Sequence, residues 1–370
     1  MREDTPSASS IAPPEEEAET SSELLLFPGL PNDVGIQCLA RTPRWTHPAA
    51  SVVSKSWRSV LQCPTFFATR SALSSAQHTL YLSIRTGADF NWFALLNPQN
   101  PKSVLQLPRA PSNSLVGAAH AVLGSKIYVV GGSHADVASS NVWIFDCRFN
   151  CWEIGPRMRV GREFAAAGVV DGKLYVMGGC VVDTWAKGAN WAEVFDPEVR
   201  KWAPVSSPVE IRNKWMHASA VIDGRVYALA DRGGIVYDPE EKSWEAVETQ
   251  LDLGWRGRAT VIDNVLYCYD YLGKIRGFDV EDNAWKQVMG LGKDLPKFLS
   301  GATMANRDGR LVVVWEGAKS ARKVSEIWCA EISVWKDGGN GELRGSVDWS
   351  DVVLSVPSGS SIVHCLTVKV

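Results

Sequence analysis

The chain has 370 residues, 45% of them hydrophobic, and its 38 basic and 41 acidic side chains leave a formal net charge of −3. That length allows two domains or one large one, with ample material for a core. The near balance of charge gives no bulk electrostatic reason to expect nucleic acid as a partner.

The charge is unevenly placed. Residues 1–23 carry Glu3, Asp4, Glu15, Glu16, Glu17, Glu19 and Glu23 against Arg2, a net of −6 that leaves residues 24–370 at +3. This Ser/Pro/Glu-rich head has no aromatic residue and cannot offset the entropy of ordering, so a disordered acidic tail is expected. It lacks the basic start and apolar core of a signal peptide, and Leu24-Leu25-Leu26-Phe27 is far too short to cross a membrane. The eight cysteines have no framework spacing, which fits a reducing setting in the cytoplasm or nucleus.

Residues 24–70 read as helical. Pro31 followed by Asn32-Asp33 suits a first helical turn, with Val34, Cys38 and Leu39 on one face and Pro43 as the stop. His47-Pro48 opens a second helix on which Ala49, Val53, Trp57, Val60 and Leu61 recur at helical spacing before Pro64, and Phe66-Phe67 begin a third apolar cluster. So small a module buries little core alone. An apolar edge at Leu30, Pro31 and Val34, with no further helices to cover it, calls for a partner.

From residue 80 onward the texture changes to short strands separated by turn residues. The clearest unit runs from Ala165 to Trp202: Ala165–Val170, a turn at Asp171-Gly172, Leu174–Met177 closing on Gly178-Gly179, then Ala192–Phe195, Asp196-Pro197 and Trp202. Two spacings repeat along the chain. A turn residue precedes a strand residue by a fixed interval at Gly124/Tyr128, Asp171/Tyr175, Asp223/Tyr227, Asp263/Tyr267 and Asp308/Val312. A second interval separates Asp146/Trp152, Asp196/Trp202, Asp238/Trp244 and Asp279/Trp285. Repeats of roughly 40–50 residues with four strands each indicate a β-propeller.

Blade closure can be read as well. The candidates Leu80–Ile84, Trp92–Leu96 and Ser103–Leu107 lack an innermost strand, while Ile362–Val368 forms one strand with no partner. Seating the last strand in the first group removes two sheet edges at once. With units at 117–155, 165–204, 218–248, 257–289 and 301–355, this predicts an all-β propeller of six blades over residues 78–370.

The double glycines Gly131-Gly132 and Gly178-Gly179, the spaced Tyr and the late Trp resemble the kelch repeat. Leu30-Pro31-Asn32-Asp33-Val34 together with Val53-Ser54-Lys55-Ser56-Trp57-Arg58-Ser59-Val60-Leu61 resembles an F-box, although Cys38 and Thr42 stand where larger aliphatics are usual. The combination resembles the plant F-box/kelch-repeat family, especially its Skp-interacting-partner branch. The resemblance implies a substrate-receptor subunit of an SCF-type cullin-RING ubiquitin ligase, with an alternative as a scaffold outside any ligase. The F-box would dock a Skp-family adaptor through Leu30, Pro31, Val34, Ile36, Val53, Trp57 and Leu61, and the propeller would hold a target protein that the sequence does not name.

In an antiparallel four-stranded blade the second-to-third loop and the blade-to-blade linker emerge on one side. The linkers at 156–163, 205–216, 249–257 and 290–300 are richer in Lys and Arg than in Asp and Glu. Target contacts are therefore expected at Arg162, Arg212, Trp215, Trp255, Arg256 and Arg258, against an acidic segment with an apolar anchor. Trp152, Trp202, Trp244 and Trp285 recur in register and read as packing between blades, whereas Trp215 and Trp255 are open to either role.

Catalytic signatures are missing. His120 and His217 on inner strands are too few for a metal site, and Cys147 and Cys151 merely flank one hairpin. No GxSxG elbow or P-loop occurs, and the recurrent aspartates sit at turns. No catalytic residue, metal or cofactor is expected.

Overall fold

The turns set the strand pairing. Asp171, Asp223 and Asp263 have φ of +47°, +48° and +47°, and Gly172 and Gly224 follow at +70°. Two successive left-handed residues make the tight hairpin whose twist matches that of its strands. In the computed structural model, residues 26–97, 100, 103–112, 115–135, 137–180, 188–231, 233–270, 272–317, 324–339 and 341–370 are described. The expected acidic tail lies outside these residues.

Among the described residues the strands form six antiparallel sheets. They surround a channel lined by the inner strands Val116–Leu123, Ala166–Val170, Met216–Ile222, Ala259–Ile262, Ser300–Arg307 and Ser361–Lys369. The protein is a six-bladed β-propeller. Its first blade is completed by the C-terminal strand: Ser361–Lys369 pairs with His78–Thr86, which continues to Asp89–Leu95 and Val104–Gln106.

Both sequence spacings have physical causes. Each aspartate of the Asp/Trp pairs ends a third strand and accepts a backbone N–H two residues on: Arg148 at 3.0 Å, Glu198 at 3.0 Å, Glu240 at 2.9 Å and Glu281 at 3.1 Å. Each tryptophan donates its indole N–H to a carbonyl after the preceding blade: Pro108 (2.9 Å), Pro156 (2.8 Å), Ser206 (2.7 Å) and Gln250 (2.9 Å). These tryptophans are the mortar between blades.

The double glycines are also explained by close approach. Gly131 and Gly179 have φ of +73° and +69°, and a Cβ on either would collide with the carbonyl oxygen of Arg162 or Glu163. The passing linker is held there by Gly132 N–H to the Arg162 carbonyl and Glu163 N–H to the Gly179 carbonyl, both at 2.8 Å. Where the pair is absent, a carboxylate substitutes. Asp231 accepts from the Trp215 N–H at 3.0 Å, and Asp270 accepts from Leu272 and Lys274 at 3.0 and 2.8 Å.

Ahead of the blades stand helices α1 (Asn32–Ala40), α2 (His47–Ala50), α3 (Lys55–Leu61) and α4 (Pro64–Ala72). The single helix expected from His47 to Leu61 is two. Ser54 is extended (φ −153°, ψ 162°) and its hydroxyl accepts the Trp57 N–H at 3.1 Å, starting a new helix at Lys55. On α1, Leu39 packs inward with Gly35 and Ala40, whereas Val34 and Cys38 face out rather than sharing its face.

The helices sit on the hairpin-turn side of blades one and two. Phe67 meets Phe149 edge-on at 5.4 Å, and Arg44, 6% exposed, donates to the carbonyls of Cys147 (2.7 Å) and Arg148 (3.1 Å). Fully buried Arg70 joins the helical layer to its exit, donating to Ala40, Thr42 and Ser75 carbonyls at 2.8, 2.7 and 2.8 Å. Immediately before the first strand, Gln77 and Val370 exchange backbone hydrogen bonds of 2.9 and 3.0 Å. The seam of the ring and the footing of the helices are contiguous.

Deleting residues 361–370 removes buried Ile362, Cys365, Val368 and Val370, at about 1.5–3 kcal/mol for each fully buried side chain. That is comparable to the whole stability of a domain. The truncated chain is expected to lose its cooperative thermal transition. Unchanged melting would show that the ring does not depend on its seam.

Two buried imidazoles predict a pH response. Burial, Arg70 and Arg44 push His47 down to about 3, and burial and Arg258 push His364 down to about 4, from an ordinary 6.5. Because both folded values are depressed, the unfolded chain takes up protons first as pH falls. The stabilisation is complete above pH 6.5 and declines toward pH 4, by about 1.4 kcal/mol per pH unit for each group. Denaturant midpoints across this window should show the decline, and His47→Gln should remove one contribution. A flat profile for the natural chain contradicts the assignment.

Candidate functional site

Strand polarity divides the propeller into a turn face, which carries the helices, and a linker face. Bridging of Ser139 to Arg162, and the 2.9 Å bond from Met158 N–H to the Ser140 carbonyl, place the second-to-third loop beside the following linker. The linker face is free of the helical layer.

Arg162 is not on its surface. The side chain is 0% exposed and pairs with equally buried Glu193 at 2.8 Å. It also donates to the carbonyls of Gly178 and Trp191, both at 2.7 Å, and of Asn190. The second Glu193 oxygen accepts the Arg159 N–H at 2.8 Å. The expectation of a target contact at Arg162 is corrected: its guanidinium staples the second linker to the third blade. Trp255 is corrected likewise, being fully buried among Leu251, Leu266 and Phe278 with its N–H on the Gly257 carbonyl at 3.0 Å.

The other expected contacts divide. Arg212 is half-buried and folds back onto Ser207, at 3.2 Å to the hydroxyl and 2.5 Å to the carbonyl. Half-buried Arg256 donates to the Trp255 carbonyl at 2.8 Å. Arg258 lines the channel. Arg258 is exposed as well, and Trp215 is the one exposed apolar side chain of the six, at 54%. With Val209, Arg212 and Lys214 it borders a groove of about 480 Å³ beside Gly179 and Cys180.

Sequence reading missed the remaining apolar side chains of this face: Phe164, Val209, Leu253, Leu272 and Phe298 are all more than half exposed. Each lies in a linker or loop outside the strand period, which was the one signal available. Lys297 stands over the Phe298 ring at 5.6 Å. Together with Trp215 these make a surface of separated apolar points among basic side chains, of the type that marks binding faces.

At the helical end, Leu30, Val34 and Val53 are 39%, 38% and 63% exposed, and Pro31 is exposed. Val52, absent from the expected set, is 72% exposed. Ile36 and Trp57 are half-buried; Trp57 stacks obliquely on Phe27 at 4.9 Å and donates to the Leu26 carbonyl at 2.9 Å. Leu61, 7% exposed, belongs to the core, which corrects its expected place in an adaptor surface. Its neighbours there include Phe66, Phe67 and Tyr81.

Residues 27–68 match the F-box domain and residues 92–354 match the FKB95, Kelch-repeats domain. The chain belongs to the F-box/kelch-repeat family. Among Arabidopsis thaliana relatives, F-box/kelch-repeat protein At4g39550 is 36% identical over 92% of this chain and 93% of its own. F-box/kelch-repeat protein At4g39590 is 36% identical over 90% and 88%, and At4g39580 is 34% identical over 96% and 100%. In this F-box/kelch-repeat protein the F-box is therefore the helical layer on the turn face, and the kelch repeats present the linker face.

Arg162→Ala should cost about 3–5 kcal/mol, because it strands the Glu193 carboxylate in the interior. Arg162→Met combined with Glu193→Leu should recover part of that loss. A denaturant midpoint for Arg162→Ala within about 1 kcal/mol of the natural chain would return Arg162 to the surface.

Proposed function

We propose that this F-box/kelch-repeat protein is the substrate receptor of an SCF-type cullin-RING ubiquitin ligase. The observation that carries the proposal is the opposition of two unlike exposed surfaces on one framework. Leu30, Pro31, Val34, Val52 and Val53 form the exposed apolar positions of the F-box, which takes the Skp-family adaptor. The linker face, with Trp215, Phe164 and Phe298 exposed, takes the target protein.

The chain does no bond chemistry in this reading. It raises the effective concentration of target lysines near the ubiquitin-charged enzyme. The Arg44 and Gln77–Val370 contacts hold the F-box to the blades, so the target is presented in a fixed direction. All eight cysteines are unpaired thiols, which supports work in the reducing cytoplasm or nucleus.

Leu30→Ala combined with Pro31→Ala should weaken copurification with a Skp-family adaptor by at least about tenfold, since exposed anchors typically contribute ~1–2 kcal/mol each. The thermal transition should stay in place because both side chains are exposed. In a reconstituted ligase the same variant should stop ubiquitin transfer to captured protein. Undiminished adaptor binding would refute the docking surface. Adaptor binding without transfer to any captured protein would make the chain a scaffold.

A further inference from the structure

The channel has a chemistry that neither the F-box nor the linker surface uses. It encloses about 720 Å³ between the six inner strands, and its lining includes two arginines, three histidines and no carboxylate. Arg85 is exposed at its rim and donates to the Gly87 carbonyl at 2.9 Å. Arg258 reaches into it. Among the described residues its Nη1 donates to the Ile362 carbonyl at 3.2 Å, and no ion pair joins it to an acid. Glu316, at the end of the neighbouring strand Arg310–Glu316, instead accepts the Ile362 N–H at 3.2 Å. The remaining donors of Arg258 are therefore available to a ligand.

The surroundings narrow the ligand. The His120 and His364 rings lie 4.9 Å apart, with Trp92 behind His120 at 5.6 Å. Burial and the nearby Arg258 hold both imidazoles below their ordinary range, so they are neutral hydrogen-bonding walls rather than added cations. The rest of the lining is largely Ala, Val and Met. At the linker-face end stands Phe164, 52% exposed, with the left-handed φ of +52° that a bulky residue rarely adopts. It is kept there by a 2.6 Å bond from its N–H to the Gly117 carbonyl, two residues from the buried Arg162 staple. An aromatic ring is thus fixed at the entrance.

We propose that the channel binds a small organic monocarboxylate, its carboxylate on Arg258 and its apolar body toward Phe164 and the alanine-lined wall. One guanidinium fork matches one planar carboxylate. A phosphate would call for more cationic or N–H partners than the wall provides. A mostly apolar pocket with few convergent polar groups is the usual form of a small-molecule site. The proposal does not depend on the ligase reading, and its test uses neither adaptor nor target.

The test is titration of the full-length chain with acetate, hexanoate, benzoate and inorganic phosphate, followed by calorimetry and ligand-observed NMR. Affinity should rise at least tenfold from acetate to hexanoate or benzoate. It should fall at least tenfold in Arg258→Gln, and several-fold in Phe164→Ala. Arg258→Gln orphans no carboxylate, so its thermal transition should match that of the natural chain and report on folding. Absence of saturable benzoate and hexanoate binding, or equal binding by Arg258→Gln, overturns the proposal. So does phosphate binding as tightly as benzoate. An acetylated alanine pentapeptide with a free C-terminus that binds tenfold better than benzoate would assign the channel to a protein terminus instead, and likewise overturns it.

Discussion

Everything in the molecule depends on one long-range pairing, the ladder between His78–Thr86 and Ser361–Lys369. A blade has two apolar faces, and each is buried only by a neighbour. Leu80, Leu82, Ile84 and Cys365 of the first blade pack on Val312, Val314 and Cys329 of the sixth, while Tyr81 and Trp92 pack on Ile127, Val129 and Phe145 of the second. Without the C-terminal strand both contacts would face an open edge. The Thr86 and Ser360 hydroxyls, 274 residues apart, meet at 2.8 Å beside this ladder. Contacts so distant in sequence carry a large closure entropy and come late, so folding is expected to be slow and cooperative.

The same ladder explains why the F-box is not a loose appendage. It ends in the Gln77–Val370 exchange, three residues after the left-handed turn at Ser74 that leaves α4. Arg44 then reaches the turn after Phe145, and burial lowers its pKa by more than Tyr81, Cys147 and Asp146 raise it, while its guanidinium donates to the carbonyls of Cys147 and Arg148. A charge placed like this tolerates little displacement. Closing the ring and seating the helices are one event.

The blades were legible in the sequence because their signals are local and redundant. An aspartate capping its own turn and a tryptophan reaching the previous linker must stand at a fixed separation, so the spacing itself records the register. The surfaces were less legible because a residue type does not say which way it points. Arg162 and Arg212 have the same composition-level meaning, yet one is sealed among carbonyls and the other folds back on Ser207. Trp215 and Trp255 both lie off register, but only Trp255 is enclosed by the helical turn Thr249–Gly254 that precedes it. The break between α2 and α3 went unseen because helical spacing of Val53, Trp57 and Leu61 continues across it; Ser54 decides the matter by capping.

The two faces differ for a reason rooted in the fold. Turn-face hairpins place Asp, Asn or Gly at most of their left-handed positions, with Arg200 and Lys242 as exceptions, which leaves few positions free for recognition. Linkers meet only the requirement of reaching the next inner strand, so their lengths and side chains can vary, and the exposed Phe164, Leu253 and Phe298 all lie there. Phe164 belongs to both that surface and the channel wall. A ligand seated against this fixed ring would border the surface a target meets, and linkage requires any effect on binding to be mutual: a target that touches the ring alters affinity in the channel by the same factor. The strained backbone at Phe164 is where the channel and the linker face share an exposed aromatic residue.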